Sequence, residues 1–160
     1  MSIELVRSYF RPLGREQDIL EFEVSSATVE LAAQAAGVIP ARIAKTLSFL
    51  VEDGCVLIVT AGDAKIDNSK YKGMFHTKAK MLTPEQVTAF TGHAIGGVCP
   101  FANPEGVKTY LDVSLQRFKT VYPAAGSSNS AIELTCAELE EYSNSLGWVD
   151  LCKAWQENEV

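Results

Sequence analysis

The sequence predicts a single α/β domain with a mixed, largely antiparallel sheet, and three observations support this fold class. The chain has 160 residues, which is the size of one ordinary domain, and no repeat or linker divides residues 1–160. Segments with helical hydrophobic spacing are interspersed with runs rich in β-branched and aromatic residues. Short turns join consecutive strand runs, and the regular strand–helix alternation of a doubly wound fold is missing.

The first half of the chain is predicted to contain two helices, a short strand and a β-hairpin. Its predicted elements are a helix over residues 2–13, a strand over 19–24, a helix over 27–36 and strands over 43–51 and 55–60. Ser25 and Ser26 offer N-caps for the second helix, and Gly37 ends it. The dipeptide Asp53–Gly54 lies between two β-rich runs, which is a strong hairpin signal.

The second half combines three further helices with three strands. The predicted helices span residues 67–75, 83–91 and 135–143, and the predicted strands span 107–113, 120–124 and 131–135. Thr83 and Gln86 form a capping-box pattern with Pro84 at the first helical position. Thr135 and Glu138 repeat the capping-box pattern for the last helix. We expect the residues after Trp155 to be frayed.

Charge is distributed unevenly along the chain. The net charge is −6, which argues against broad binding of polyanions, but residues 65–80 carry five lysines and one acid, Asp67. The lysines of this segment are Lys65, Lys70, Lys72, Lys78 and Lys80. Tyr71, Phe75 and His76 are interleaved with them, a pattern that suits nucleic acid phosphates and unpaired bases. The alternative interpretation is an ordinary solvated helix face.

The cysteines and the apolar segments indicate the compartment. Four cysteines are scattered without a CxxC pair, which fits thiols in a reducing environment. No segment approaches the length of a membrane helix, and the N-terminal residues do not resemble a signal peptide. We therefore expect a cytoplasmic protein with no membrane partner.

Lys45 is the first candidate functional residue. It lies within an apolar strand run, where strict alternation places it on one face with Ile43, Leu47, Phe49 and Val51. We expect this face to be the buried one. A lysine there is costly unless its ammonium reaches a cavity, a partner or a ligand. The alternative is a lysine at the strand edge whose ammonium extends to water.

Two glycine-containing segments are the other candidates. The pair Gly96–Gly97 removes two side chains and lets the backbone approach a ligand, although a plain turn is the alternative. Gly126 opens a small polar loop whose other members are Ser127, Ser128 and Asn129. Exposed amides and hydroxyls in such a loop are able to bind a carbonyl or an amino group, and a well-formed turn is again the alternative.

Taken together, the motifs in their order resemble the YbaK family, also called the prolyl-tRNA-synthetase-associated editing domain. The motifs are Ala44-Lys-Thr-Leu47, Ala61-Gly-Asp63, Ile95-Gly-Gly-Val-Cys-Pro-Phe101, Tyr110-Leu-Asp112 and Ala125-Gly-Ser-Ser-Asn-Ser-Ala-Ile-Glu-Leu134. The resemblance implies a compact fold whose sheet curls around a pocket between flanking helices. It also implies hydrolysis of the ester that joins a wrong amino acid to tRNA, usually tRNA-Pro.

The resemblance also assigns roles to individual residues. Lys45 matches the pocket lysine of the family, Gly96 and Gly97 match its glycine pair, and Gly126 matches the glycine before the substrate-facing loop. Several cysteinyl-tRNA-Pro deacylases of the family carry a basic turn where this chain has Ser127–Asn129, so the amino acid removed is not transferred from them. Prolyl-tRNA synthetase is an expected partner, and the five lysines are expected to dock the acceptor stem.

The sequence favours catalysis by positioning, without a metal or other cofactor. His76 and His93 have no metal-ligand spacing, and there is no GxSxG, GxGxxG or Walker motif. A Ser–Lys pair using Ser127 or Ser128 with Lys45 is conceivable. We expect Lys45 and backbone dipoles to orient the ester and water, with help from the terminal ribose hydroxyl of the substrate. The alternatives are a non-catalytic adaptor for a synthetase and a hydrolase of small free esters.

Overall fold

A computed structural model describes residues 2–52, 54–93 and 96–155. The helices are α1 Ser2–Phe10, α2 Val29–Ala36, α3 Asn68–Phe75, α4 Pro84–Thr91 and α5 Cys136–Tyr142. The strands are β1 Ile19–Glu21, β2 Ile43–Val51, β3 Gly54–Ala61, β4 Lys65–Ile66, β5 Lys108–Asp112, β6 Thr120–Pro123, β7 Ser130–Ile132, β8 Leu134–Thr135, β9 Trp148–Val149 and β10 Cys152–Lys153. Within these residues, no helix is both long and apolar enough to cross a membrane.

The main sheet has six strands in the order β8-β6-β2-β3-β5-β9 and is mixed, as the sequence predicts. Its centre is the antiparallel pair β2–β3, whose register runs from Ala44 opposite Ala61 to Val51 opposite Gly54. The hairpin prediction is therefore confirmed, although Asp53 itself lies outside the described residues. Among the described residues four of the seven strand pairings are antiparallel and three are parallel. The parallel pairings join β2 to β6, β3 to β5 and β5 to β9.

Capping residues set most helix boundaries where the sequence places them. Both predicted capping boxes are formed, one at α4 and one at α5, and Gly37 ends α2 in the left-handed conformation. The start of α2 was predicted wrongly, because Thr28 rather than Ser25 or Ser26 is its N-cap. The Ser26 amide instead donates to the Ser128 carbonyl, so this segment is held extended beside a distant loop.

Two predicted strands are shorter in the structure. The strand expected over residues 19–24 is β1 and ends at Glu21, and the one expected over 131–135 is divided into β7 and β8. The division has a simple cause, because β7 pairs with β1 whereas β8 pairs with β6. One run of residues therefore pairs with strands of two different sheets. Local sequence patterns do not predict such a division.

Both faces of the β2–β3 hairpin are covered, so the expectation of a single buried face was wrong. Ala44 belongs to a core that β2 and β3 share with α1 and α5, whereas Phe49 packs with Tyr71 of α3 on the other face. Lys45 shares the α3 face with Phe49. The consequence is that Lys45 and its neighbour Thr46 are both partly buried, although they point to opposite faces.

Candidate active site

The site is a cavity of about 240 Å³ beside β2, here called the β2 cavity. Its polar lining comes from Ser26, Thr28, Lys45, Thr46, Ser48, Tyr122 and Ser130. Its apolar lining comes mainly from Val29, Ile43, Met81, Leu82, Val87 and Val98. Ala27, Thr28 and Met81 are exposed, whereas Ser48, Leu82 and Val87 are buried, so the lining includes both surface and interior residues.

The cavity arises because the outer edge of β2 is paired only at its two ends. At one end, Ile43 and Ala44 pair with β6. At the other end, Met81 bridges to Phe49, and the flanking backbone bonds join Leu50 to Lys80 and Leu82 to Ser48. The residues between these two contacts, Lys45 to Ser48, therefore lie where the sheet opens into the cavity.

The Lys45 ammonium is fixed in place and partly desolvated. Its Nζ donates to the Ala64 carbonyl oxygen at 2.6 Å. Burial lowers the pKa of Lys45 from its ordinary value, and the negative charges of Asp63 and Glu30 oppose this effect. Asp63 is itself held by two hydrogen bonds from Arg117, of 3.0 and 2.5 Å. The site thus provides a positioned cation on the cavity wall.

The predicted glycine segments do meet in space, through their backbones. Gly96 lines the cavity with φ of +87°, a conformation that favours glycine. A Cβ built on Gly97 would lie 2.8 Å from the Gly126 carbonyl oxygen, so the absence of a side chain is required there. A methyl group at Gly97 would therefore collide with the backbone of Gly126. Ile95 of the same motif lies outside the described residues.

Buried polar contacts anchor the segment that follows Gly97. His93 Nε2 donates to the Phe101 carbonyl oxygen at 2.9 Å, and burial lowers the pKa of His93. The Cys99 thiol is completely buried beside it, and burial raises its pKa to about 12. The Asn103 amide donates to the Cys99 carbonyl at 2.9 Å. A neutral imidazole and a neutral thiol therefore support the cavity wall from behind.

The polar loop after Gly126 uses its side chains to hold its own shape. Ser127 Oγ donates to Asn129 Oδ1 at 2.9 Å and lies 2.6 Å from Ser130 Oγ. Asn129 Nδ2 donates to the Phe22 carbonyl at 3.0 Å. Ser128 is exposed, and a Cβ on Gly96 would lie 3.4 Å from its Cβ. The predicted substrate-binding residues Ser127, Ser128 and Asn129 therefore lie in a loop that supports the cavity, and Ser130 and Gly96 contribute to the cavity wall itself.

The five predicted RNA-binding lysines lie on several elements of the fold. Lys65 lies opposite Lys153 in the β4–β10 pair, and Lys72 is exposed on α3. The Lys70 ammonium donates to Asp150 Oδ1 at 2.9 Å and to the Cys152 carbonyl at 3.0 Å. Lys78 and Lys80 line a common groove.

That groove, here called the basic groove, has a volume of about 960 Å³. Its charged and aromatic lining consists of Glu52, Phe75, His76, Lys78, Lys80, Lys108 and Tyr110. The consecutive residues Lys80, Met81 and Leu82 connect it to the β2 cavity, because Lys80 lines the groove and the next two line the cavity. Lys108 and Tyr110 were not among the predicted RNA-binding residues. The local signal that they share a face is their spacing of two on one strand.

Comparison with known proteins agrees with this fold. The chain belongs to the aminoacyl-tRNA editing domain family, whose model matches residues 23–142. It is 57% identical over 157 residues, 98% of this chain and 100% of the relative, to "Uncharacterized protein YwhH" of Bacillus subtilis (strain 168). It is 30% identical over 109 residues, 67% of this chain and 66% of the relative, to "Putative Cys-tRNA(Pro)/Cys-tRNA(Cys) deacylase EbsC" of Enterococcus faecalis (strain ATCC 700802 / V583).

A solved structure extends the comparison to three dimensions. The crystal structure of "a putative trans-editing enzyme for prolyl tRNA synthetase" superposes with a TM-score of 0.85 and 29% sequence identity. The match covers 95% of this chain and 97% of that one. The YbaK-like fold, with its curled mixed sheet and flanking helices, is therefore confirmed.

Proposed function

We propose that this protein is a trans-acting editing hydrolase that cleaves the ester of a mischarged tRNA, with tRNA-Pro as the expected tRNA. The observation that carries the proposal is the Lys45 ammonium, which is held by the Ala64 carbonyl beside the β2 cavity in a chain of the editing family. The names of two similar proteins, a deacylase and an editing enzyme for prolyl-tRNA synthetase, support the choice of substrate and make that synthetase a candidate partner.

In the proposed reaction, water attacks the ester carbonyl carbon, the bond to the ribose oxygen breaks, and that oxygen leaves with a proton. No histidine, aspartate or glutamate is among the described residues that line the cavity. The protein's contribution is accordingly orientation of the ester and water, with Lys45 stabilising negative charge as it develops. The neighbouring ribose hydroxyl of the substrate assists the proton transfer.

A Ser–Lys mechanism receives less support from the contacts. The Lys45 ammonium donates to a backbone carbonyl, whereas Ser127 Oγ contacts Asn129 and Ser130. A nucleophilic serine needs a base within hydrogen-bond reach. The observed contacts of Ser127 fit a structural role in the loop.

The basic groove is the surface that we propose for the acceptor stem. Lys78, Lys80 and Lys108 supply cations for phosphates, and Phe75 and Tyr110 supply rings on which an unpaired base can stack. The groove adjoins the cavity through residues 80–82, and we propose that a 3′ end bound in the groove extends along β2 toward Lys45. Lys65, Lys70 and Lys72 remain candidates for weaker contacts, with Lys70 already engaged by Asp150.

The test is a panel of tRNA-Pro molecules charged with different amino acids, with the release of free amino acid measured for each. We expect at least one mischarged species to be hydrolysed well above the buffer rate, and correctly charged prolyl-tRNA to be left intact. Binding of the panel without hydrolysis would favour the adaptor alternative. Hydrolysis of small free esters with no preference for charged tRNA would favour the third interpretation.

A further inference from the structure

The carbonyl that holds the Lys45 ammonium belongs to a tight turn after β3. The Ala64 amide donates to the Ala61 carbonyl at 3.0 Å, which closes a turn over residues 61–64. Ala64 is completely buried, and its own carbonyl oxygen accepts from Lys45 Nζ at 2.6 Å. A single hydrogen bond fixes a flexible lysine side chain only when the acceptor is itself fixed. The position of the ammonium therefore depends on the contacts that hold the 61–64 turn.

Arg117 and Ser114 join this turn to the 3-10 helix Val113–Arg117. The Arg117 guanidinium donates to both carboxylate oxygens of Asp63, at 3.0 and 2.5 Å, and its Nε donates to the Ser114 carbonyl at 2.9 Å. Ser114 Oγ in turn accepts from the Ala61 amide at 3.1 Å. The side chains of the Asp63–Arg117 pair are only 17% and 14% exposed. Such bidentate pairs fix orientation as well as distance, so the turn is held at two of its four residues.

The guanidinium of Arg117 is also held by aromatic rings. Its Cζ lies 4.9 Å from the ring centroid of Phe118 and 5.0 Å from that of Trp155, which are cation–π distances. Trp155 follows β10, and β10 pairs with β4, whose first residue, Lys65, comes directly after Ala64. The family model matches residues 23–142, so Trp155 and β10 support the turn from outside the matched region.

The charged and titratable groups around Lys45 come from four segments. They are Asp63 of the turn, Lys65 of β4, Cys152 of β10 and Glu30 of α2. Burial raises the pKa of the Cys152 thiol, so this group carries no charge at neutral pH. The negative charges that oppose the effect of burial on the Lys45 pKa are then those of Asp63 and Glu30, and Asp63 has the larger effect. Asp63 therefore holds both a backbone turn and a negative charge near the ammonium.

We propose that Arg117 and Asp63 are positioning residues for Lys45. The pair fixes the turn whose carbonyl holds the ammonium, so Lys45 faces the ester correctly only while the pair is intact. This inference rests on the proposed editing function and deepens it. Neither Arg117 nor Asp63 is among the described residues that line the β2 cavity, so both act through Lys45 and not on the substrate.

The first experiment compares deacylation by the wild type, Arg117→Met, Arg117→Lys and Asp63→Asn. Arg117→Met and Asp63→Asn should each lower kcat about 10–100-fold with little change in KM, because a misplaced group loses transition-state stabilisation without weakening substrate binding. Arg117→Lys keeps the charge but not the bidentate fork, and it should lose less. Arg15→Met is the matched control, since Arg15 is 20% exposed, donates to Glu138 at 2.5 Å and lies over the Tyr142 ring at 5.8 Å. The control should keep the wild-type kcat.

A second measurement on the ligand-free protein does not depend on activity. The 13Cε resonance of Lys45 in protein with 13C-labelled lysine, assigned by its loss in Lys45→Met, reports the pKa of Lys45. Asp63→Asn removes a nearby negative charge at almost constant volume, so this pKa should fall below its wild-type value. Glu138→Gln is the matched control, because it breaks the other arginine–carboxylate pair and should leave the Lys45 resonance unchanged.

The possible outcomes separate this inference from the editing function. A wild-type kcat in folded Arg117→Met and Asp63→Asn, or an equal loss in Arg15→Met, would reject the positioning role. A raised KM with unchanged kcat would also reject it, and would assign the pair to substrate binding. An unaltered Lys45 pKa in Asp63→Asn would show that the carboxylate does not act on the ammonium. If the wild type hydrolyses no charged tRNA, the editing function fails, whereas the resonance titration still tests the contact between the pair and Lys45. Should Arg117→Met not fold, Arg117→Lys and Asp63→Asn carry the same test.

Discussion

At the scale of single residues, the environment of Lys45 combines burial with a fixed hydrogen bond. Its ammonium is bonded to Ala64, is partly desolvated, and receives only indirect support from Asp63, which Arg117 already binds. The protein alone therefore offsets only part of the free-energy cost of burying this positive charge. The ammonium is consequently available to a developing negative charge on a substrate.

Replacing Lys45 with alanine should abolish most deacylation and leave the fold intact. Loss of one pre-positioned charge donor typically costs about 100-fold in rate or more, and we expect a loss of that size. Lys45→Arg should not restore activity, because a planar guanidinium does not reproduce the point charge of an ammonium. Release of amino acid and circular dichroism are the measurements. A change of less than roughly threefold in a folded variant would reject the catalytic assignment.

Lys45 also predicts a pH dependence of stability. Burial lowers its pKa in the folded state below the ordinary value of 10.5, so between these two pKa values the unfolded chain binds more protons. The free energy of unfolding of the wild type should consequently rise with pH in that window, relative to Lys45→Met. Urea titrations of both proteins between neutral pH and about pH 10.5 measure the difference, in which the other groups cancel. A difference that is constant with pH would contradict the lowered pKa.

At the scale of structural elements, the cavity depends on contact between two loops. The segment at Gly96–Gly97 and the loop after Gly126 touch through their backbones, and the 127–130 side chains and Phe22 brace the second loop. His93 and Cys99 support the first loop from the interior. The cavity wall is therefore built from backbone held by many small contacts.

Gly97→Ala should destabilise the protein by about 1–3 kcal/mol, because the new methyl group overlaps the Gly126 backbone. Gly73→Ala is the matched control with the opposite expected sign. Gly73 lies within α3 with nothing within 4 Å of a built Cβ, so alanine should stabilise by about 0.5–1 kcal/mol through helix propensity. Chemical denaturation measures both effects. Equal stabilities of Gly97→Ala and the wild type would show that the loops do not touch as described.

At the scale of the whole molecule, the proposed function requires an acidic protein to bind an acidic substrate. The net charge is −6, and the cationic residues Lys78, Lys80 and Lys108 are concentrated in the basic groove next to the cavity. Repulsion from the remaining surface should restrict tRNA to the region where the sign of the charge reverses. Affinity should accordingly depend strongly on salt.

Lys80→Gln and Lys108→Gln should each weaken tRNA binding and lower the slope of log affinity against log salt by about 0.7–0.9. Hydrolysis of an aminoacyl-adenosine analogue, which has no stem, should change little. The exposed Lys119 lies outside the groove lining, so Lys119→Gln is the matched control. Filter binding over a salt series and parallel deacylation assays provide the data. Equal effects on both substrates would assign these lysines to the cavity or the fold.

Local sequence patterns determined the elements of this protein because their causes are local. The capping boxes of α4 and α5, the left-handed Gly37 and the β2–β3 hairpin all depend on residues within a few positions of one another. Lys45 was recognisable because a lysine within an apolar strand run is unusual, and the glycine motifs were recognisable from their order along the chain.

Only the tertiary structure decided which of these residues contact one another and which of them line the cavity or the groove. Thr46 and Ser48 became cavity residues because β6 and Met81 pair with only the two ends of β2, and these partners come from distant parts of the chain. Asp150 engages Lys70 from a distant part of the chain, and β5 brings Lys108 to the groove. The physical reason is that pairing across a sheet depends on residues far apart in sequence, whereas capping and turn formation depend on neighbours.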